Sequence, residues 1–127
     1  MLNHQFSNFE LPFDLTEYAI EWAYQAGEIA MRYFRKVAVE YKADKTLVTE
    51  ADLEIERFLF SKISEIYPTH ALLGEESGHH LASVLSANDR EAAYMWAIDP
   101  LDGTSAFVQG LPGWGISLGL LYHGQPI

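Results

Sequence analysis

The chain has 127 residues, enough for one compact domain, and its 49% apolar content with 13% aromatics can fill a core, so disorder is not the default. Eighteen acidic residues against eight basic ones give a net charge of −10, which argues against a nucleic-acid polymer as partner and leaves an anionic substrate in need of cations held by the carboxylates. There is no cysteine for a disulfide or a thiolate zinc site, no apolar run of the ~18–20 residues that cross a bilayer, and no basic-then-apolar leader, so a cytoplasmic protein with no membrane partner is the simplest expectation.

From Leu15 to Phe34 apolar residues recur at three- and four-residue steps, predicting an amphipathic helix with Asp14 as its N-cap. Val37 to Tyr41 predicts a short extended segment, reversed by the polar turn Lys42 to Lys45. A second helix is expected with Thr49 as cap and Asp52 at its third position, running through Ile55, Phe58, Leu59 and Ile63 and stopping before Pro68. Ala71 to Leu73 and Tyr94 to Ile98 are short apolar runs that read as buried strands. Each ends in an acidic turn, GEES at Gly74 to Ser77 and DPLDGT at Asp99 to Thr104. Gly78 to Ala93 is polar with little periodicity and reads as a loop. Trp114 to His123 is a strand, followed by a hairpin turn at Gly124-Gln125; a chain ending just beyond that turn would leave a sheet edge exposed, and this predicts a truncated protein.

The two acidic turns carry the chemistry. In DPLDGT, Pro100 fixes its own backbone and restricts Asp99, Gly103 allows a turn that other residues resist, and two carboxylates emerge three residues apart from one tight loop. Carboxylates and a backbone carbonyl are hard oxygen donors that suit Mg2+. Two such ions ~3.5–4 Å apart could activate a water and stabilise the leaving oxygen of an in-line displacement at phosphorus, with Asp99 as the natural bridge. Glu75 and Asp52 complete the acidic set if the strands are neighbours. Gly103 and Thr104 are placed to begin a helix whose free N–H groups face a substrate phosphate, with the Thr104 hydroxyl orienting the attacking water.

WAIDPLDGTSAF, with GEES upstream and KADKTLVTEAD before that, resembles the three N-terminal signatures of the inositol monophosphatase family, in the family's order and across nearly the whole chain. The resemblance implies that Glu75, Asp99, the Leu101 carbonyl and Asp102 hold two or three Mg2+ ions, and that Asp52 and Thr104 activate the nucleophilic water, with Glu75 beside them in catalysis. Glu76 would stand behind the ligands, reaching a further metal through water. It also implies an α+β fold: the N-terminal half of a layered α/β sandwich, two long helices on a mostly antiparallel sheet, with residues 1–127 a single metal-binding phosphatase domain that stops before the C-terminal half. That half supplies a further aspartate ligand and most of the residues that select the substrate's alcohol. The activity implied is Mg-dependent hydrolysis of a small phosphorylated metabolite by metal-activated water, and dimerisation is a family expectation. The stretch SAFVQGLPGWG departs from the Thr-Asn-Phe of inositol-specific members and looks closer to histidinol-phosphate phosphatases. A sugar bisphosphatase, a nucleotide 3′-phosphatase and a non-catalytic binding or regulatory module are the alternatives.

Plainer readings stand beside these. DPLDGT alone reads equally well as a surface turn, and Asp52 alone as a helix cap. Lys42 and Lys45 read as solvated, His79 and His80 as exposed loop residues, and His4, His70 and His123 belong to no constellation. Trp22, Tyr33, Phe58 and Trp114 fall on predicted core faces.

Overall fold

The computed structural model describes residues 13–36, 39–41, 47–76, 78–80 and 94–127. Helix α1 spans Phe13–Tyr33. Strands β1 (Val39–Tyr41) and β2 (Leu47–Thr49) pair antiparallel, so the chain reverses where the polar turn predicts it, although Lys42 and Lys45 themselves lie outside the described residues. Helix α2 spans Glu50–Ile66 and is followed by β3 (Ala71–Gly74), β4 (Gly78–His80), β5 (Tyr94–Asp102), the five-residue helix α3 (Thr104–Val108), β6 (Gly115–Tyr122) and β7 (Gln125–Pro126).

Both long helices form because their apolar residues share one stripe. On α1, Leu15, Trp22, Ala26, Ile29 and Ala30 are buried; on α2, Ala51, Ile55, Leu59 and Ile63 have no exposed surface. Those stripes cover Leu72 of β3, Trp96 and Ile98 of β5 and Leu120 of β6, which alternate along their strands and so share one face of the sheet. Leu73, one step out of phase, is 40% exposed on the opposite face. Among the described residues the larger sheet has five strands in the order β4-β3-β5-β6-β7, antiparallel except where β3 runs parallel to β5. This is the α+β architecture expected, two helices against a mostly antiparallel sheet.

Four local expectations are corrected. Asp14 lies within the first turn of α1 rather than capping it, because the helix begins at Phe13. Gly78–His80 is not loop: it pairs antiparallel with β3, setting Leu72 opposite His80. The side chains of His79 and His80, and residues 81–93, lie outside the described residues. The final hairpin turns one residue early, at His123-Gly124, where both φ angles are positive (50° and 79°), as a two-residue turn matched to strand twist requires. Fourth, DPLD is not a free loop but the end of β5. Asp99 pairs with Ser117 and Asp102 with Gly115, so three steps on β5 match two on β6. The extra residue is a β-bulge, which tolerates Pro100 because that position has no N–H to donate to the ladder.

Candidate functional site

Helix α2 starts in a capping box. The Asp52 backbone N–H donates to Thr49 Oγ1 at 3.3 Å, and the Thr49 N–H donates to Asp52 Oδ2 at 2.9 Å. The Thr49 hydroxyl also donates to that same Oδ2. The other carboxylate oxygen, Oδ1, lies 3.2 Å from Thr104 Oγ1 at the start of α3. Capping and a site role for Asp52 are therefore not alternatives, because each uses a different oxygen. Both Thr49 and Asp52 are buried.

Thr104 reaches Asp52 because of Gly103. Its φ of +80° lies in the left-handed region, and a Cβ there would come 2.5 Å from the Gly113 carbonyl oxygen. The chain can turn out of β5 and into α3 only with glycine at this position. Helix α3 is then anchored by Phe107, fully buried against the rings of Phe34 and Trp114, with centroids 5.4 and 5.1 Å away. Thr104 Oγ1 is 2.8 Å from the Leu101 carbonyl oxygen as well, so its single proton is shared between that carbonyl and Asp52. A carbonyl oxygen has two lone pairs and can take a second partner.

Glu75 meets Asp99 through strand register. Along the parallel pair Leu73 faces Ala97 and Gly74 faces Ile98, and the Glu75 N–H continues the ladder to the Ile98 carbonyl at 3.1 Å. The next register position pairs Glu75 with Asp99, and their carboxyl groups come within hydrogen-bonding reach. Partial burial, that hydrogen bond and the repulsion between the two carboxylates raise Asp99 from 3.8 to about 6; the Leu101 N–H, 3.2 Å from Asp99 Oδ1, opposes the rise. Asp102 adds a smaller upward push from a distance and is itself exposed. Among the described residues no three carboxylate or imidazole groups converge as one cluster. The structure thus unites Glu75 with Asp99 and, through Thr104, Asp52 with the Leu101 carbonyl, while Asp102 is exposed beyond them.

Leu73, Gly74, Glu75, Ala97, Ile98, Asp99 and Ser117 line a hollow of about 360 Å3, which places these two carboxylates at a concave surface. A larger hollow of about 650 Å3 lies between α1 and α2; of the charged groups lining it, Arg32 is 3.7 Å from Glu54, which also accepts the Tyr33 hydroxyl.

Glu56, which the sequence reading passed over, and His70, which it placed in no constellation, are both buried with specific partners. Glu56, one helical turn after Asp52 and 3% exposed, accepts the Glu76 backbone N–H at Oε2, 2.8 Å away. His70, 4% exposed, accepts the Trp96 indole N–H at Nδ1, 2.9 Å away, and stacks between Tyr67 and Tyr94. A charged residue interrupting the apolar stripe of α2 was the available signal for Glu56. For His70 the sequence offered only its place just before a buried strand.

Comparison with known proteins identifies the family. A model of the inositol monophosphatase family matches residues 13–127. The chain is 36% identical over 110 residues to the Nus factor SuhB of Pseudomonas aeruginosa, covering 84% of this chain and 39% of that protein. It is 39% identical over 108 residues to a histidinol-phosphatase of Chlorobaculum parvum, with coverage of 84% and 39%. The solved structure of a Thermotoga maritima IMPase superposes with a TM-score of 0.76 at 30% identity, over 90% of this chain and 42% of that one. The chain therefore spans less than half the length of each of these relatives. No helix among the described residues is long and apolar enough to cross a membrane. By its strand-end signatures, its fold and a family match running from α1 to the last residue, the chain belongs to the inositol monophosphatase family.

Proposed function

We propose that this chain carries the water-activating and metal-binding part of a magnesium-dependent phosphomonoesterase acting on a small phosphorylated metabolite, of the histidinol-phosphate or inositol-monophosphate type. The observation that carries the reading is the pairing of two sets at neighbouring strand ends: Glu75 against Asp99, and Thr104 between Asp52 and the Leu101 carbonyl. The first set fits a hard divalent cation by its chemistry, since two carboxylates held in contact repel one another and push Asp99 upward, a penalty that a bound cation relieves. Glu75, Asp99, the Leu101 carbonyl and Asp102 would hold two or three Mg2+ ions. Bound there, magnesium would supply positive charge for the phosphate oxygens and lower the pKa of water.

The chain's own residues do the rest. Asp52 holds Thr104 with its hydroxyl proton turned inward, so that the Thr104 oxygen presents a lone pair to an incoming water. As that water attacks phosphorus, its proton passes to Thr104 Oγ1 and the Thr104 proton passes to Asp52 Oδ1. The new P–O bond forms as the ester P–O bond breaks, the departing alkoxide takes a proton from a solvent water to leave as the alcohol, and Asp52 returns its proton to the hydroxide so formed. Backbone N–H groups at Gly103 and Thr104 face the phosphate, and Glu76 stands behind the ligands. Residues 1–127 act as one unit in this reading. A cytoplasmic location belongs to this reading, and pairing as a homodimer is what membership of the family suggests.

The test is phosphate release from histidinol phosphate, inositol monophosphate and a 3′-phosphonucleotide, with and without Mg2+, for the chain and its Asp99→Asn variant. Magnesium-dependent turnover lost in the variant supports the mechanism and ranks the substrates. Equal turnover by both proteins, or turnover indifferent to magnesium, removes Asp99 from the site. If neither turns over, magnesium binding by the wild-type chain and not by the variant supports the site in a catalytically incomplete unit; no binding by either rejects it.

A further inference from the structure

We propose that Glu56 is a positioning residue that fixes the Glu75-Glu76 turn and so aims the Glu75 carboxylate at Asp99, an inference that rests on the phosphatase reading above. The turn leaves β3 with two N–H groups to satisfy. The first, on Glu75, continues the parallel ladder to Ile98; the second, on Glu76, has passed beyond the end of the ladder and is taken by Glu56 Oε2 at 2.8 Å. A carboxylate that accepts a backbone N–H makes a stronger bond than a neutral acceptor, and it fixes the direction of the peptide that follows Glu75.

The site around Glu56 is shaped to admit it. Gly74 lacks the Cβ that would stand 2.4 Å from Glu56 Oε1, 2.5 Å from its Cδ and 2.8 Å from Phe60 Cζ. Glycine is thus used here for close approach, and the space it leaves holds the carboxylate. At 3% exposure, Glu56 sits on the same helical stripe as Ile55, Leu59 and Ile63, where an apolar side chain would pack at no desolvation cost. Asp52 lies one turn earlier on that stripe. Helix α2 therefore reaches two strand ends with two carboxylates at i and i+4: Asp52 engages Thr104 after β5, and Glu56 engages the turn after β3. The spacing of one helical turn sets the two halves of the site relative to one another.

The test compares Glu56→Ala, Glu56→Gln and Gly74→Ala with the wild-type chain by amide hydrogen exchange and by magnesium titration. In the wild type the Glu76 amide is protected. In Glu56→Ala its exchange accelerates at least about tenfold relative to the amides of α2 and β5, and the magnesium concentration giving half-maximal thermal stabilisation rises by about tenfold, as loss of a bond to a charged acceptor implies. Glu56→Gln keeps an acceptor oxygen and restores most of both. Gly74→Ala, which displaces the Glu56 carboxylate without deleting it, behaves like Glu56→Ala. An unprotected Glu76 amide in the wild type, or acceleration spread evenly over α2 and β5, would overturn the proposal, as would unchanged exchange in both Glu56→Ala and Gly74→Ala. If the wild type shows no magnesium response while the Glu76 amide answers to Glu56, the phosphatase reading fails and the anchoring of the turn stands.

Discussion

Asp52 separates a structural role from a chemical one oxygen by oxygen, and two substitutions distinguish them. Asp52→Ala removes both acceptors. Thr49, 1% exposed, then keeps a backbone N–H with no acceptor in a buried environment. The bond from the residue-52 N–H to Thr49 Oγ1 survives, but the Thr49 N–H and hydroxyl both lose their buried acceptor, which costs about 2–4 kcal/mol in total. Asp52→Asn retains one acceptor oxygen. Turned toward Thr49 it preserves the cap and sets its amide against Thr104, whose hydroxyl still has the Leu101 carbonyl at 2.8 Å. The cost then falls to about 1 kcal/mol. For a chain of this length each kcal/mol moves the midpoint by roughly 3–5 °C. Thermal melts followed by circular dichroism should therefore show Asp52→Ala melting about 6–20 °C below the wild type and Asp52→Asn only about 3–5 °C below it. Any magnesium-dependent turnover should fall by about 10²–10⁴ in both, because neither can take the proton. Equal melting of the alanine variant and the wild type would refute the buried cap. Full turnover by the asparagine variant would refute the proton path.

Three further outcomes are expected. Gly103→Ala forces a left-handed φ of +80° on a residue with a Cβ that would stand 2.5 Å from a backbone oxygen, so urea unfolding should show a loss of about 2–4 kcal/mol. His70→Phe preserves the ring between Tyr67 and Tyr94 but leaves the buried Trp96 N–H without its acceptor, which should cost about 1–3 kcal/mol by the same measurement; a neutral result would mean the bond is not formed. Asp99 is raised from 3.8 to about 6 on folding, so its contribution to the metal-free chain is fully present below pH 4 and is lost as pH rises through 6. Magnesium needs the deprotonated carboxylate, so the rise in melting temperature on adding Mg2+ should be larger at pH 7.5 than at pH 5; a rise independent of pH would remove Asp99 from the ligand set.

Local signals in the sequence were faithful where the interaction is local. The T-x-x-D spacing at Thr49 to Asp52 specified the start of α2 to the residue, because a capping box closes within one turn and owes nothing to the rest of the chain. The apolar periods of both helices likewise marked the faces that are buried. Two local signals missed by a residue or so, the Asp14 cap and the position of the final turn; the other failures depended on partners distant in sequence. DPLD read as a loop because proline and glycine punctuate it, yet β6 pairs with it across a bulge. Gly78–His80 read as polar loop because nothing in three residues announces that β3 is beside them. Glu56 was legible in principle as a charge on an apolar stripe, but its purpose depends on Glu76, twenty residues on.

The parallel pairing of β3 with β5, in a sheet otherwise antiparallel among the described residues, explains why the acidic turns meet. In an antiparallel pair the turns that follow two strands lie at opposite ends of the sheet, so GEES and DPLDGT on such a pair would be separated by the length of a strand. Parallel β3 and β5 bring their C-terminal ends to the same side, and the register Gly74 to Ile98 sets the following residues, Glu75 and Asp99, beside each other. Residues at equal register in parallel strands also point to the same face, which turns adjacency into contact. Such a pair cannot be joined by a short hairpin and needs a longer connection, here residues 75–93. A one-residue slip of β3 against β5 would leave every backbone bond of the ladder replaceable by another, but it would set Glu75 opposite Ile98 or Pro100 and turn its carboxylate to the wrong face. Register is therefore the quantity on which the site depends. Both features that hold it, Trp96 locked to His70 at the start of β5 and Glu56 locked to the turn after β3, are bonds to buried side chains from outside the ladder itself.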